Sequence, residues 1–223
     1  LPLVFSGRLL DPFLLWKTVC AVLAFCVLAS LVYIINDIRD VERDRQHPTK
    51  CRRPIASGAV PVSCAVAEEV VLFGILIVLS QLGQFPLKSW LCMGTYFVLN
   101  LGYSFGWKNV PILDIAILVS GFLLRMLLGA GVTGIAISGW LYLTVTSVSF
   151  YMGLGKRRGE LRTVSKSARK VLQYYSDSFL TQNMQMCLTL TVVFYSLWSM
   201  DRGENLMWTV PLVICICLKY GLT

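Results

Sequence analysis

Histidine is almost absent from this chain: His47 is the single one among 223 residues. One imidazole cannot build a histidine metal cluster, and it makes a Ser-His-Asp hydrolase a poor fit. Charge is scarce too. Charged residues make up 14% of the chain and hydrophobic residues 56%, with a mean hydropathy of +0.68. A soluble domain of this size carries a larger polar shell, because its surface-to-volume ratio demands one. No two of the eight cysteines (Cys20, Cys26, Cys51, Cys64, Cys92, Cys187, Cys215 and Cys217) stand at CxxC spacing. That argues against a zinc site or a redox dithiol, and most of them read as small apolar fillers inside apolar runs. No secretory leader, internal repeat or low-complexity segment is visible.

What the sequence does have is apolar runs of about 18–22 residues, long enough to cross the hydrocarbon core at 1.5 Å per residue. They fall near residues 13–35, 61–81, 88–105, 111–132, 138–155, 179–200 and 206–223. Turn residues separate them: Gly83 and Pro86, Gly106 to Pro111, Gly134 to Gly139, and Gly203. The expectation is an all-α, polytopic transmembrane helical bundle with about seven complete spans. The chain opens at Leu1 and stops inside an apolar run at Thr223. Residues 1–223 therefore read as one integral-membrane domain truncated at both ends.

The net charge of +8 would suit nucleic acid, but the bases lie in short loops between apolar spans. Nucleic acid is rejected as a partner and the bilayer is expected. Alternate loops hold Arg39, Arg43, Arg45, Lys50, Arg52 and Arg53, then Lys108, then Lys156, Arg157, Arg158, Arg162, Lys166, Arg169 and Lys170. The intervening loops hold Arg8, Lys88 and Arg202. Lys/Arg excess marks the cytoplasmic side, so both charged stretches are expected there. No sequence signal bears on an oligomeric state.

Four stretches carry chemistry. Asn36-Asp37-Ile38-Arg39-Asp40-Val41-Glu42-Arg43-Asp44 follows an apolar span directly. On a continuous helix Asp37, Asp40 and Asp44 fall within an arc of about 60°. Carboxylates so placed repel one another unless a cation lies between them. Hard oxygen donors in small number suit Mg²⁺ held together with a substrate diphosphate. A solvated helix end with Arg39 and Arg43 pairing the acids is the plainer reading. Pro48 to Gly58 then supplies Lys50, Arg52 and Arg53, cations that could neutralise a leaving diphosphate or, more simply, meet anionic headgroups. Tyr103-Ser104-Phe105-Gly106-Trp107-Lys108 precedes Asp114, which shares a helix face with Arg125 eleven residues on. A structural ion pair is the plainer reading there. Gly155-Lys156-Arg157-Arg158-Gly159-Glu160 begins the third charged loop. Its bases are placed for phosphates, and Glu160 could orient one of them or hydrogen-bond a sugar hydroxyl.

Together these motifs resemble the UbiA superfamily of intramembrane prenyltransferases. The Asn-Asp-x-x-Asp-x-x-x-Asp run at Asn36–Asp44, with Arg53-Pro54 and Gly58, is similar to the superfamily's first Asp-rich motif. The continuation Asp44-x-x-His47-Pro48-x-Lys50…Arg53-Pro54-Ile55-Ala56-x-Gly58 looks closer to the decaprenyl-phosphate phosphoribosyltransferase branch, as do Tyr103…Lys108…Asp114 and Gly155-Lys156-Arg157…Glu160. The superfamily's aromatic prenyltransferases carry a second Asp-rich motif in the later loop; here that loop is basic with one Glu160. The resemblance implies nine helices around a cavity, in a bacterial cell membrane, and an enzyme that uses Mg²⁺. Its implied substrates are phosphoribosyl diphosphate and a polyprenyl phosphate, with diphosphate released; the alternative is prenyl transfer from a prenyl diphosphate to an aromatic acceptor. It places Asp37 and Asp40 on the metal, Asn36 and Asp44 in support, and Lys50, Arg53, Tyr103, Lys108, Asp114, Lys156, Arg157 and Glu160 on substrate.

Overall fold

The computed structural model describes residues 2–46, 49–163 and 170–222. Among these there is no strand. The helices are α1 (Pro2–Phe5), α2 (Pro12–Arg39), α3 (Val41–Arg45), α4 (Val62–Leu82), α5 (Leu87–Ser104), α6 (Leu113–Thr133), α7 (Gly139–Thr163), α8 (Asp177–Arg202), α9 (Glu204–Met207) and α10 (Val210–Leu222). Short 3-10 turns lie at Lys50–Arg52, Trp107–Asn109 and Lys170–Tyr174.

Helices thus lie in each of the seven expected stretches, the last of them broken between α9 and α10, and the count of seven membrane crossings stays an expectation. Three of them, α2, α4 and α6, are long and apolar enough by themselves to cross a membrane. Helices α7 and α8 are richer in hydroxyl residues. Thr144, Thr146 and Ser149 in α7, and Thr189, Thr191, Ser196 and Ser199 in α8, each donate to the carbonyl four residues back at 2.6–3.0 Å. A hydroxyl satisfied by its own helix needs no water, so these helices tolerate an apolar setting that their composition does not advertise.

Helix ends follow local chemistry. Asp11 caps α2, accepting from the Phe13 and Leu14 amides at 3.0 and 3.2 Å, with Pro12 in the first helical position, where a missing N–H is harmless. Ser176 caps α8 by accepting from the Phe179 amide at 3.1 Å. Gly106, at φ +132°, makes the turn after α5 in a conformation that disfavours other residues.

The chain divides into two compact units. The first comprises residues 1–105 and 124–135, the second residues 106–123 and 136–223, so α6 lends its two halves to different units. In the first unit α2 packs on α4 and α5. Ala21, Ala24 and Leu28 present a close-packing face to Met93, Tyr96, Leu124 and Leu128, and the Phe25 and Tyr96 rings meet edge-on at 4.5 Å. Arg125 lies in this unit with its guanidinium 4.5 Å above Phe25 and 5.4 Å from Tyr96, a cation–π arrangement that eases a charge deep in a span. In the second unit α7 packs on α8, and Ile115, Val119, Tyr151, Leu154, Val171, Leu172, Leu180 and Met184 form the core.

Gly153 lets α7 approach α6: a Cβ there would stand 3.2 Å from the Ile115 Cγ2 methyl. Gly74 on α4 faces open space, with nothing within 4 Å of a built Cβ. Gly153→Leu should therefore overpack the second core and destabilise by about 1–3 kcal/mol, read as a lower melting temperature in detergent. Gly74→Leu is the control, expected to leave melting near wild type. Equal behaviour of the two variants would contradict this packing.

Candidate functional site

The first charged stretch folds back on the end of α2. That helix stops at Arg39, Asp40 sits at the junction with φ −92° and ψ +9°, and α3 begins at Val41. The bend alters the three-acid face expected of one continuous helix. Asp37 and Asp44 converge, and Arg53 Nη1 donates to both, at 2.6 Å to Asp37 Oδ1 and 2.8 Å to Asp44 Oδ2. Asp40 pairs instead with its neighbour, accepting from Arg39 Nε and Nη2 at 3.0 and 2.8 Å. Arg39 also lies 4.9 Å from the centre of the Phe105 ring. The plainer expectation of acids paired by Arg39 holds for Asp40 alone.

Asp44 is the anchor of this segment. It is 3% exposed, and Lys50 Nζ stands 4.0 Å from its second oxygen. The return turn that delivers Arg53 is held by Ser57 N–H donating to Arg53 O at 2.8 Å and Val60 N–H to Pro54 O at 3.0 Å. Gly58, at φ +81°, closes it, and the buried Ile55 and Ala56 seat it. Arg45 Nε reaches Ala56 O at 3.3 Å and ties α3 to the turn. His47 and Pro48 lie outside the described residues.

Among the described residues no three His, Cys, Asp or Glu side chains gather as a ready metal cage. Mg²⁺ does not require one, because it is commonly held by one or two carboxylates with substrate phosphate and water completing the shell. Two observations fit that use. The Asp37 and Asp44 carboxylates already converge on one cationic nitrogen. Asn36, the chain neighbour of Asp37, has its Oδ1 buried with no hydrogen-bond partner among the described residues, a hard oxygen of the kind that suits a cation.

The second constellation belongs to the second unit. Asp114 and Arg157 are both fully enclosed, with Arg157 Nε donating to Asp114 Oδ2 at 2.6 Å. Arg157 Nη1 donates to Glu160 Oε2 at 2.8 Å, one turn along α7. Tyr175 completes the set. Its hydroxyl donates to Asp114 Oδ1 at 2.6 Å and accepts from the Ile112 amide at 2.7 Å. Ile112 has φ +69°, and this bond helps hold that uncommon conformation.

Arg157, expected among the phosphate-binding bases, is thus enclosed between two carboxylates, whereas Lys156 beside it is exposed. Glu160 is engaged by Arg157 and partly exposed. Asp114, expected on substrate, has its two oxygens turned to Arg157 and Tyr175. Tyr103 lies in the last turn of α5 in the first unit, Lys108 lies in the second, and both are half-buried. Farther along, Arg162 pairs with Asp177 at 3.0 Å, joining α7 to α8 and holding the Asp177 carboxyl below its ordinary value. Tyr175 was missed by sequence reasoning. It stands 61 positions from Asp114, in a stretch with no motif, and nothing short of the fold brings the two together.

Burial, followed by donation to the Asp114 carboxylate, pushes the Tyr175 hydroxyl up to about 12. The folded protein therefore prefers the phenol over the phenolate. Stability from this bond is fully present below the ordinary tyrosine value near 10 and is lost as pH rises toward 12. Phenolate absorbance should show one tyrosine titrating near pH 12 in wild type and missing from Tyr175→Phe. The same variant loses a charge-assisted bond worth about 1.5–3 kcal/mol. Arg157→Ala should cost more, about 3–5 kcal/mol, because it strands the buried Asp114. Melting of Arg157→Ala at the wild-type temperature would refute the structural assignment.

Comparison with known proteins bears on the family and the fold. Residues 4–222 match the model of the UbiA prenyltransferase family. A decaprenyl-phosphate phosphoribosyltransferase of Corynebacterium glutamicum is 41% identical over 189 residues, covering 83% of this chain and 57% of that protein. The protein of the same description from Mycobacterium tuberculosis is 36% identical over 215 residues, covering 92% of this chain and 70% of its own length. The chain thus spans less than two thirds of the Corynebacterium relative. In fold it is similar to a UbiA homolog from Archaeoglobus fulgidus solved with GPP and Mg²⁺, with a TM-score of 0.75 at 16% identity over 93% of this chain and 75% of the other. On the family match along nearly its whole length, this chain belongs to the UbiA prenyltransferase family.

Proposed function

We propose that the protein transfers the 5-phosphoribosyl group of phosphoribosyl diphosphate to a polyprenyl phosphate at the cytoplasmic face of a bacterial membrane. The observation that carries this reading is the make-up of the later charged segment. Its acid Glu160 is engaged by Arg157, while Lys156 is exposed and Arg158 half-exposed. A segment of that kind suits a phosphate directly. It does not supply a second carboxylate set of the kind found in aromatic prenyltransferases. The identity to relatives described as decaprenyl-phosphate phosphoribosyltransferases supports the same choice.

In this reading the first unit handles the diphosphate. Asp37 and Asp40 would hold Mg²⁺ with Asn36 and Asp44 in support, and Lys50 and Arg53 would add positive charge. The ion, when bound, neutralises charge on the departing diphosphate. The bond from the anomeric carbon to the diphosphate oxygen breaks, and that carbon gains oxocarbenium character. An ionised oxygen of the lipid phosphate attacks it, forming the new phosphodiester as diphosphate leaves. The nucleophile arrives deprotonated, so no strong general base is needed, consistent with a chain holding one histidine. The 5-phosphate, a second anionic group absent from prenyl diphosphates, is assigned to Lys156. Asp114, Arg157, Glu160 and Tyr175 hold the segment that carries Lys156. Tyr103 and Lys108 are each assigned to substrate binding.

Purified protein supplied with a polyprenyl phosphate and radiolabelled phosphoribosyl diphosphate should yield a labelled lipid and require Mg²⁺. If label passes instead from a prenyl diphosphate to an aromatic acceptor, the phosphoribosyl reading falls and the prenyltransferase alternative replaces it. Asp37→Ala should abolish turnover, a loss of several kcal/mol of leaving-group stabilisation, in protein that still inserts.

Lys156→Ala should raise KM for phosphoribosyl diphosphate roughly ten- to a hundredfold, with a smaller effect on the lipid phosphate. Equal weakening of both substrates would make that segment a general electrostatic funnel and remove the 5-phosphate assignment.

A further inference from the structure

A groove of about 480 Å³ runs between α2, α4 and α5, within the first unit. One end is formed by Leu28, Leu76 and Trp90. The other end is formed by Ile35, Glu69 and Phe97, four to seven residues from the helix ends near the first charged stretch. Seven residues separate the two ends on each helix, so the groove is about 10 Å long. Its size falls in the range of ligand sites, roughly 300–1,000 Å³.

Glu69 is the one ionisable residue lining the groove, and Oε1 of its carboxyl is buried with no hydrogen-bond partner among the described residues. Glu68, exposed, is its chain neighbour, and no Lys or Arg lines the groove. An apolar groove with an orphaned acceptor at one end asks for an occupant with a matching donor there. An acyl chain alone cannot meet that need. Two adjacent acids select a cation over an anion. Glu69 lies about two helical turns below the start of α4, near the depth where hydrocarbon meets a headgroup layer about 5–8 Å thick.

We propose that this groove binds a phospholipid with a primary ammonium head, the headgroup nitrogen donating to Glu69 and one acyl chain lying along α2, α4 and α5 toward Trp90. The site is separate from the transfer chemistry and does not rest on it. Phosphatidylethanolamine provides the N–H donor; phosphatidylcholine has a quaternary nitrogen with the same charge and no donor; phosphatidylglycerol is anionic.

Gly94 lines the groove, and a Cβ built on it meets nothing within 4 Å. Gly94→Leu should therefore fill the groove while leaving α5 intact, since leucine favours helix over glycine.

Native mass spectrometry of the full chain in detergent, titrated with each lipid, tests the proposal. Wild type should bind phosphatidylethanolamine about tenfold more tightly than phosphatidylcholine, and phosphatidylglycerol least. Glu69→Leu should erase the preference for phosphatidylethanolamine, and Gly94→Leu should weaken binding of every lipid at this site. Equal affinity for phosphatidylethanolamine and phosphatidylcholine in wild type overturns the proposal. So does an unchanged preference in Glu69→Leu, or undiminished binding by Gly94→Leu. A dimer that dissociates in Gly94→Leu would show a second copy of the chain in the groove instead, and would also overturn it.

Discussion

A charge placed in hydrocarbon without a partner costs at least a few kcal/mol, and the distribution of the 20 basic and 12 acidic residues follows from that penalty. Most are carried to helix ends, where water and headgroups can reach them. Several of those inside helices are matched. Arg157 and Asp114 enclose each other, and Arg125 lies over the Phe25 and Tyr96 faces. Hydroxyls of α7 and α8 obey the same rule by bonding to their own helix. What remains unmatched is correspondingly informative. Asn36 Oδ1 and Glu69 Oε1 are acceptors left unsatisfied among the described residues.

The two charged segments are built on different principles. The first is a bent helix end and a return turn held by Arg53, with Asp37 and Asp40 partly exposed and Asp44 buried. The second is a closed lock. Its buried carboxylate, guanidinium and phenol satisfy one another, and their neighbour Lys156 is exposed. A partly open acidic site suits a metal that arrives with its substrate. A rigid pedestal suits a single basic side chain that must be held still, because little ordering entropy is then left for binding to supply.

Membership in the UbiA prenyltransferase family places the chain among helical membrane proteins, and the fold likeness to the Archaeoglobus fulgidus homolog agrees. That fold is compatible with more than one donor. The choice of phosphoribosyl diphosphate rests on the character of the later segment and on the relatives' descriptions, so it is chemistry at particular residues, rather than architecture, that separates the two readings.

The helical membrane class, the positions of the seven helical stretches and the two charged segments were legible in the sequence. Each is local: apolar length sets a helix in lipid, glycine and proline set the turns, and charge collects where water is. The Asn36–Asp44 motif could be read in the same way, as could the presence of Arg53 close behind it. The sequence could not show that α2 would end at Arg39, sending Asp40 to Arg39 and bringing Asp44 together with Asp37 under one guanidinium. Nor could it show that Arg157 would be enclosed while Lys156 stayed exposed, because neighbours on a helix point about 100° apart and only packing decides which one is buried. The partnership of Tyr175 with Asp114, and the orphaned Glu69 at the end of its groove, depend on helices distant in sequence meeting in space. They were decided by the tertiary structure alone.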